Sequence, residues 1–249
     1  MKRRVIAHRG HKVAAPEQTM AAFELAIDLG AQMLEADLRF TRDGVAVMLH
    51  DRKLDRTTNG KGPVDRMDWV EVAELDAGGW FDPRFAGARI PKLEELFDLA
   101  VRRDIALCIE AKGEGTDNAA TALFAAREIA RRGRLDRDVV ASFDHRALAA
   151  AAAEVPGLQT APDRLPERGP STAAELIAQA KAAGARIIQH HFADLDRAAV
   201  AETQAAGIEV WAWPPATLEE AQFAYDSGAI GLMGDDVAAI MTVMRDNSD

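Results

Sequence analysis

The chain has 249 residues, 48% of them hydrophobic and 28% charged, which is the make-up of a folded protein with a sizeable core and not of a disordered or fibrous one. Its formal net charge of -10 disfavours broad contact with nucleic acid or anionic lipid, since such binding neutralises phosphates with Lys and Arg. An anionic small substrate then needs locally clustered positive charge, and the single cysteine, Cys108, excludes an internal disulfide framework.

Met1 to Ile6 is basic and then briefly apolar, but the run breaks at His8-Arg9-Gly10, too early for a secretory segment. No stretch approaches the roughly 18 apolar residues of a membrane helix, so a cytoplasmic protein without stable membrane insertion is expected. Short β-like runs alternate with helical ones from there on. Val5 to Ala7 is followed by a helix over Thr19 to Leu29, a strand over Met33 to Arg39 and an extended piece over Val45 to Leu49. After a Gly/Pro-punctuated stretch from Arg52 to Arg89, the rhythm resumes with a helix over Leu93 to Arg102 and a strand over Ala106 to Glu110. Cys108, inside that apolar strand, reads as a small buried thiol. Helices over Asn118 to Arg132 and Ala147 to Glu154 flank a strand at Val139 to Ser142. Strands at Gln159 to Ala161, Ile187 to Gln189, Glu209 to Trp213 and Gly231 to Met233 are separated by helices over Thr172 to Ala183, Leu195 to Ala206 and Leu218 to Ser227.

Strands alternating with helices of about 10 to 15 residues form βαβ units on a parallel sheet. About eight such units favour a closed (β/α)₈ TIM barrel over an open doubly wound sheet, in one domain spanning 1–249. The segment at about 52–89 is then an insertion after the second strand. Its Asn59-Gly60-Lys61-Gly62 lacks the ending and the following helix of a nucleotide-binding loop and reads as a turn. Trp69 and Trp80 read as anchors of this excursion onto the barrel.

Barrel active sites lie at the C-terminal ends of the strands, and polar residues cluster there in this chain. His8, Arg9 and Gly10 end the first strand, Glu35 and Asp37 lie on the second, His50 and Asp51 follow the extended piece, and Glu110 and Lys112 end the next strand. Positions two apart share a face, so Glu35 projects with Asp37, and Glu110 with Lys112. Three converging carboxylates repel one another unless a cation sits among them. All-oxygen ligation suits one divalent cation, Mg²⁺ or Ca²⁺, with Mn²⁺ a further candidate, and suits Zn²⁺ less. His8 and His50 are then left as a general acid and base, while Arg9 and Lys112 supply fixed positive charge for a phosphoryl group. Trp211 and Trp213 share one strand face, where core packing competes with substrate contact; Trp213 is the better substrate-binding candidate. His11 reads equally as exposed loop, and His145, His190 and His191 carry no recognisable partner pattern. Metal-dependent amidohydrolases also use barrels, but their His-x-His pair is absent, His8 and His11 being three apart.

In motif and order, His8-Arg9-Gly10, Pro16-Glu17-Gln18-Thr19, the stretch from Leu34 to Gly44, and His50-Asp51 resemble the glycerophosphodiester phosphodiesterase family. Leu54-Asp55-Arg56-Thr57-Thr58, Ile90 to Leu96 and Ile109-Glu110-Ala111-Lys112 look like its later motifs, so the likeness is close from Val5 to Lys112 and weaker beyond. The resemblance implies a barrel with an insertion after the second strand and hydrolysis of a small-molecule glycerophosphodiester to glycerol phosphate and an alcohol. It places Glu35, Asp37 and Glu110 on the metal, His8 and His50 in the acid/base pair, and Arg9 and Lys112 on the phosphate. Glu17 matches a position near the site, where it orients Arg9 or opens the first helix. Departures lie around the alcohol portions: Gln18 stands where the family usually has Asn, Trp213 precedes Pro214-Pro215, and Gly234-Asp235 replaces a Thr-Asp pair. Two other readings are a related barrel phosphodiesterase acting on lysophospholipids, and a non-catalytic barrel that binds a phosphodiester. The pattern carries no signal for a particular oligomeric state.

Overall fold

A computed structural model describes residues 3–113 and 117–247; Met1 and Lys2 of the N-terminal basic stretch lie outside the described residues. The first parallel strands are β1 (Arg4–His8), β2 (Met33–Phe40), β4 (Ala106–Ala111) and β5 (Val139–Ser142). The set continues with β6 (Gln159–Pro162), β7 (Ile187–His191), β8 (Glu209–Trp213) and β9 (Gly231–Gly234). They lie side by side in the order β6-β5-β4-β2-β1-β9-β8-β7. The two ends of that row meet through a parallel bridge between Asp163 and Gln189, which closes a (β/α)₈ barrel. β3 (Ala46–Met48) stands outside the ring and pairs antiparallel with the end of β2.

Strand periodicity decides what fills the barrel. Ile6, Met33, Cys108, Val139, Ala141, Ala161, Ile187, Trp211 and Met233 pack against one another inside it. The intervening residues, such as Val5, Ala7, Leu34, Ala36, Leu107 and Ile109, belong to the larger cluster shared with the helices. Gly231 is needed next to the fully buried Trp211: a Cβ there would sit 2.4 Å from the indole ring. Trp211 therefore packs in the core, while Trp213, two residues further along the same face, reaches the mouth.

The helices that follow the strands are α1 (Met20–Asp28), α3 (Leu93–Arg102), α4 (Asn118–Arg131), α5 (His145–Glu154), α6 (Ala173–Ala182), α7 (Arg197–Ala205), α8 (Leu218–Asp226) and α9 (Val237–Asp246). α3 shows why they form: Leu93, Leu96, Phe97 and Ala100 recur on one buried face, and Glu95 closes its first turn by accepting from the Lys92 N–H at 2.8 Å. No helix among the described residues is long and apolar enough to cross a membrane. The final helix, α9, is absent from the periodicity reading, which ends at Met233. Asp236 caps it by accepting from the Ala239 N–H, and Val237, Ile240 and Val243 bury its inner face. His11, open between loop and core in the sequence, is buried and accepts from the Val237 N–H at 3.2 Å, tying β1's loop to this helix.

The excursion after β3 holds the single-turn helix α2 (Trp69–Val72) and two short 3₁₀ turns. Val47, Leu49, Leu54, Val64, Val72, Ala77 and Ile90 give it an apolar cluster of its own, against which Trp69 packs. The Lys92 ammonium stands 5.1 Å from the Trp69 ring centre. Trp80 is different: 42% of it is exposed, and it leans edge-on against Phe81. Asn59 and Asp76 exchange hydrogen bonds across the turn that contains Gly60.

Candidate active site

The strands open at their C-terminal ends into a cavity of about 1000 Å³ lined by His8, Arg9, Glu35, His50, Glu110, Lys112 and Trp213 among others. Strand alternation carries His8 above Ile6, Glu35 and Asp37 above Met33, and Glu110 above Cys108, so the same faces that fill the barrel deliver polar groups to its mouth. At the end of β1 the chain turns sharply, with Arg9 at φ 60° and Gly10 at φ 85°. A Cβ on Gly10 would lie 2.6 Å from the Ala22 backbone, so only glycine lets α1 pack this close. That turn points the Arg9 N–H at Glu35 Oε2, 3.0 Å away, and the guanidinium at Asp37 and Glu17, at 3.1 and 3.4 Å.

Glu35, Asp37 and Glu110 bring carboxylate oxygens within 4.8 Å of one another, and all three are at least nine-tenths buried. Burial together with the Asp37 and Glu110 charges pushes the Glu35 carboxyl well above its ordinary range. Burial pushes the Glu110 carboxyl up to about 7, against the pull of Lys112. Asp37 is driven low instead: the Lys112 and Arg9 charges outweigh its burial. The Lys112 ammonium sits 2.9 Å from Asp37 Oδ1 and 2.6 Å from Glu110 Oε1. Gln18, held at φ 59°, donates from Nε2 to Asp37 Oδ2 at 2.6 Å. Glu35 Oε1 and Gln18 Oε1 are buried in this nest without a hydrogen-bond donor, and Asp37 Oδ1 faces the Lys112 ammonium. Hard oxygen donors, excess negative charge and orphaned acceptors fit a divalent cation of the Mg²⁺ or Ca²⁺ kind.

Each histidine is oriented by a carboxylate. His8 Nδ1 lies 2.6 Å from Asp235 Oδ1, and Lys12 holds the other oxygen of Asp235 at 2.9 Å. His50 Nδ1 lies 2.6 Å from Asp51 Oδ1, and the Arg39 side chain donates to the His50 carbonyl at 2.8 Å. A carboxylate can only accept, so in both pairs the proton sits on Nδ1 and Nε2 is left to face the cavity. Burial and the Arg9 charge lower the His8 pKa to about 4. His50 is also lowered by burial and by the Arg9 and Lys112 charges, against the upward pull of the Asp37 charge and the Asp51 hydrogen bond. Arg56 links the two halves of the site: it donates to Asp51 Oδ2 at 2.6 Å and to both oxygens of Glu17 at 2.8 Å. Glu17 accordingly stands behind Arg9 in the ion-pair chain and does not line the cavity. Asp235 and Arg56 are the positioning residues that one-strand periodicity could not assign, since Asp235 meets His8, and Arg56 meets Glu17, only through the closed fold.

Across the mouth, Trp213 stands edge-on to Phe143 at 6.1 Å and to His191 at 5.4 Å, and its Nε1 is buried without an acceptor. His145 donates from Nε2 to the Asp163 carbonyl at 2.7 Å, and His190 pairs with the Ser171 hydroxyl at 2.7 Å, so both serve loop structure. Asp163 is 4% exposed, lines the cavity, and leaves Oδ2 without a partner; no motif pointed to it.

Residues 8–239 match the sequence profile described as the Glycerophosphoryl diester phosphodiesterase family. A glycerophosphodiester phosphodiesterase of Caldanaerobacter subterraneus subsp. tengcongensis is 48% identical over 112 residues, which is 45% of this chain and 46% of that protein. The aligned stretch thus spans less than half of that curated relative. Among solved structures, a glycerophosphodiester phosphodiesterase from Agrobacterium tumefaciens C58 superposes with a TM-score of 0.83 and 28% identity, covering 98% of this chain and 100% of that one. An Oleispira antarctica phosphodiesterase in complex with the product sn-glycerol-3-phosphate superposes with a TM-score of 0.87 and 27% identity, covering 97% and 96%.

Proposed function

The chain belongs to the glycerophosphoryl diester phosphodiesterase family, and from that premise we propose that it hydrolyses small-molecule glycerophosphodiesters to glycerol phosphate and an alcohol within one barrel domain. The observation that carries this reading is the convergence of three buried carboxylates, two fixed cations and two carboxylate-oriented histidines on one cavity. The Oleispira relative holds glycerol phosphate, the product this reaction would release.

Glu35, Asp37 and Glu110 are the residues to hold a divalent cation, Mg²⁺ or Ca²⁺ with Mn²⁺ as a further candidate. When bound, such an ion supplies charge neutralisation at a phosphoryl oxygen. Arg9 and Lys112 flank the triad and bind the remaining phosphate oxygens, favouring the charge that builds in the transition state. His8, unprotonated at neutral pH, takes a proton from the attacking water at Nε2. His50 acts in its doubly protonated form, with Nδ1–H on Asp51 and the facing Asp37 charge favouring the imidazolium, and delivers the Nε2 proton to the leaving alkoxide as the phosphorus–oxygen bond to the alcohol breaks. The water oxygen becomes the fourth oxygen of the phosphate, and one proton has entered and one has left the pair. Glu17 braces Arg9 and Arg56, and Trp213 offers its ring face and N–H to the organic portion.

The test is release of glycerol phosphate from a panel of glycerophosphodiesters in Mg²⁺, Ca²⁺, Mn²⁺ or chelator. Metal-dependent release is expected; silence across the panel with metal present overturns the reading. Binding of the diesters without turnover would identify a non-catalytic phosphodiester-binding barrel instead, and turnover confined to lysophospholipids would transfer the reaction to that headgroup class.

A further inference from the structure

The cavity is electrically lopsided in a way the reaction alone does not require. On the side of β2 and β3 it is lined by Arg39, Arg52 and Lys53. On the far side, over β5 to β8, it is lined by three carboxylates, Asp144, Asp163 and Glu167, and two aromatic rings, Phe143 and Trp213. These groups lie beyond the carboxylate triad. Lys112 marks the border, with its ammonium 2.9 Å from Asp37 and 5.8 Å from the Phe143 ring centre.

Resting on the phosphodiesterase reading, we propose that this far side is an ammonium subsite formed by Asp163, Glu167, Phe143 and Trp213, and that the alcohol portion of the preferred substrate is a short amino alcohol. Asp163 carries the inference. It lies at the barrel seam, where its neighbour Arg164 donates a backbone hydrogen bond to Gln189 at 2.8 Å. Its side chain is more than nine-tenths buried, yet Oδ2 has no donor. An unpaired buried acceptor is costly unless something fills it, and a carboxylate gains most from a charged donor. Burial and the Glu110 charge push its carboxyl well above the usual range, so a cation entering the cavity would favour its ionised form. The perpendicular Phe143 and Trp213 rings, 6.1 Å apart, form an aromatic corner of the kind that stabilises an ammonium by its ring quadrupoles.

The wall is built in advance. Arg164, itself buried, donates to the carbonyls of Pro166, Arg168, Gly169 and Pro170 at 2.6 to 3.0 Å, which fixes the loop that carries Glu167. A phosphate held at the triad therefore leaves its two esters facing unlike surroundings, one basic and one acidic with aromatic faces. A diester of a cationic amino alcohol satisfies the acidic side, whereas a headgroup that carries a carboxylate and no ammonium is repelled from it.

The experiment compares kcat/KM for glycerophosphoethanolamine with that for glycerophosphoglycerol, which has the same phosphate and an uncharged headgroup. The substrate with the cationic headgroup is expected to lead in the wild type. In Asp163→Asn the ratio of the two is expected to fall about tenfold, the worth of one charged hydrogen bond. Phe143→Leu is expected to lower the same ratio several-fold and serves if the Asp163 variant does not fold. An unchanged ratio in a folded variant, or a wild type that prefers the glycerol headgroup, overturns the subsite. If no diester is turned over, the reaction itself fails, and calorimetry decides the subsite separately: phosphoethanolamine must bind the metal-loaded wild type more tightly than glycerol phosphate, with the difference lost in Asp163→Asn.

Discussion

The two histidines show how far a side chain's chemistry is set by what stands behind it. His8 and His50 have the same imidazole, but His8 is enclosed beside Arg9 and backed by Asp235, while His50 is half-open and backed by the Asp51–Arg56–Glu17 chain. Asp235→Asn keeps the size of the side chain and removes the charge that raises the His8 pKa. Turnover should fall about tenfold or more, and the acid limb of the pH profile should move to lower pH; an unmoved limb would mean Asp235 is merely structural. Stability follows the same logic with a definite sign. The folded pKa of His8, about 4, lies below its unfolded value of about 6.5, so the native state binds fewer protons and loses stability as pH falls from 6.5 to 4. Urea unfolding of the metal-free protein should show a steeper loss across that window for wild type than for His8→Asn. Much at this scale was legible: His8, Arg9, Glu35, Asp37, His50, Glu110 and Lys112 all meet at the cavity mouth or the buried nest beside it. What could not be read were Asp163 and the pairing of Asp235 with His8, because a partner 227 residues away has no spacing signature.

Among the elements, strands were the easiest to read. Val139–Ser142 and Glu209–Trp213 begin and end where the apolar pattern places them, because a strand inside a barrel is bounded by the turn residues that leave it. α9 escaped because Val237, Ile240, Thr242 and Val243 are β-branched and weak helix formers, and its stability comes from burial against the barrel and from the caps at Asp236 and His11. Loop structure depends on tertiary contacts in the same way. Arg164 replaces a whole set of backbone partners for the segment between β6 and α6, so Arg164→Ala should cost about 2 kcal/mol in unfolding free energy and loosen the acidic wall of the cavity. A melting curve indistinguishable from wild type would show that the loop holds itself.

The whole molecule reconciles a net charge of -10 with the anionic substrate proposed for it by sorting charge in space. Arg9 and Lys112 concentrate positive potential beside the triad, and Arg39 of β2 with Arg52 and Lys53 of the excursion after β3 adds to it along one rim. The barrel makes that possible, because residues from β1, β2 and β4 reach one point only once the ring of strands has closed. The central claim is that the triad binds a divalent cation while His8 and His50 move the protons, two jobs carried by separate groups. The decisive measurement is turnover of a glycerophosphodiester by His8→Ala and by His50→Ala, each with its metal affinity measured by calorimetry. Metal affinity close to wild type with turnover lowered on the order of 10²-fold or more is the expected result. A near-normal rate in either variant, with metal bound, would contradict it.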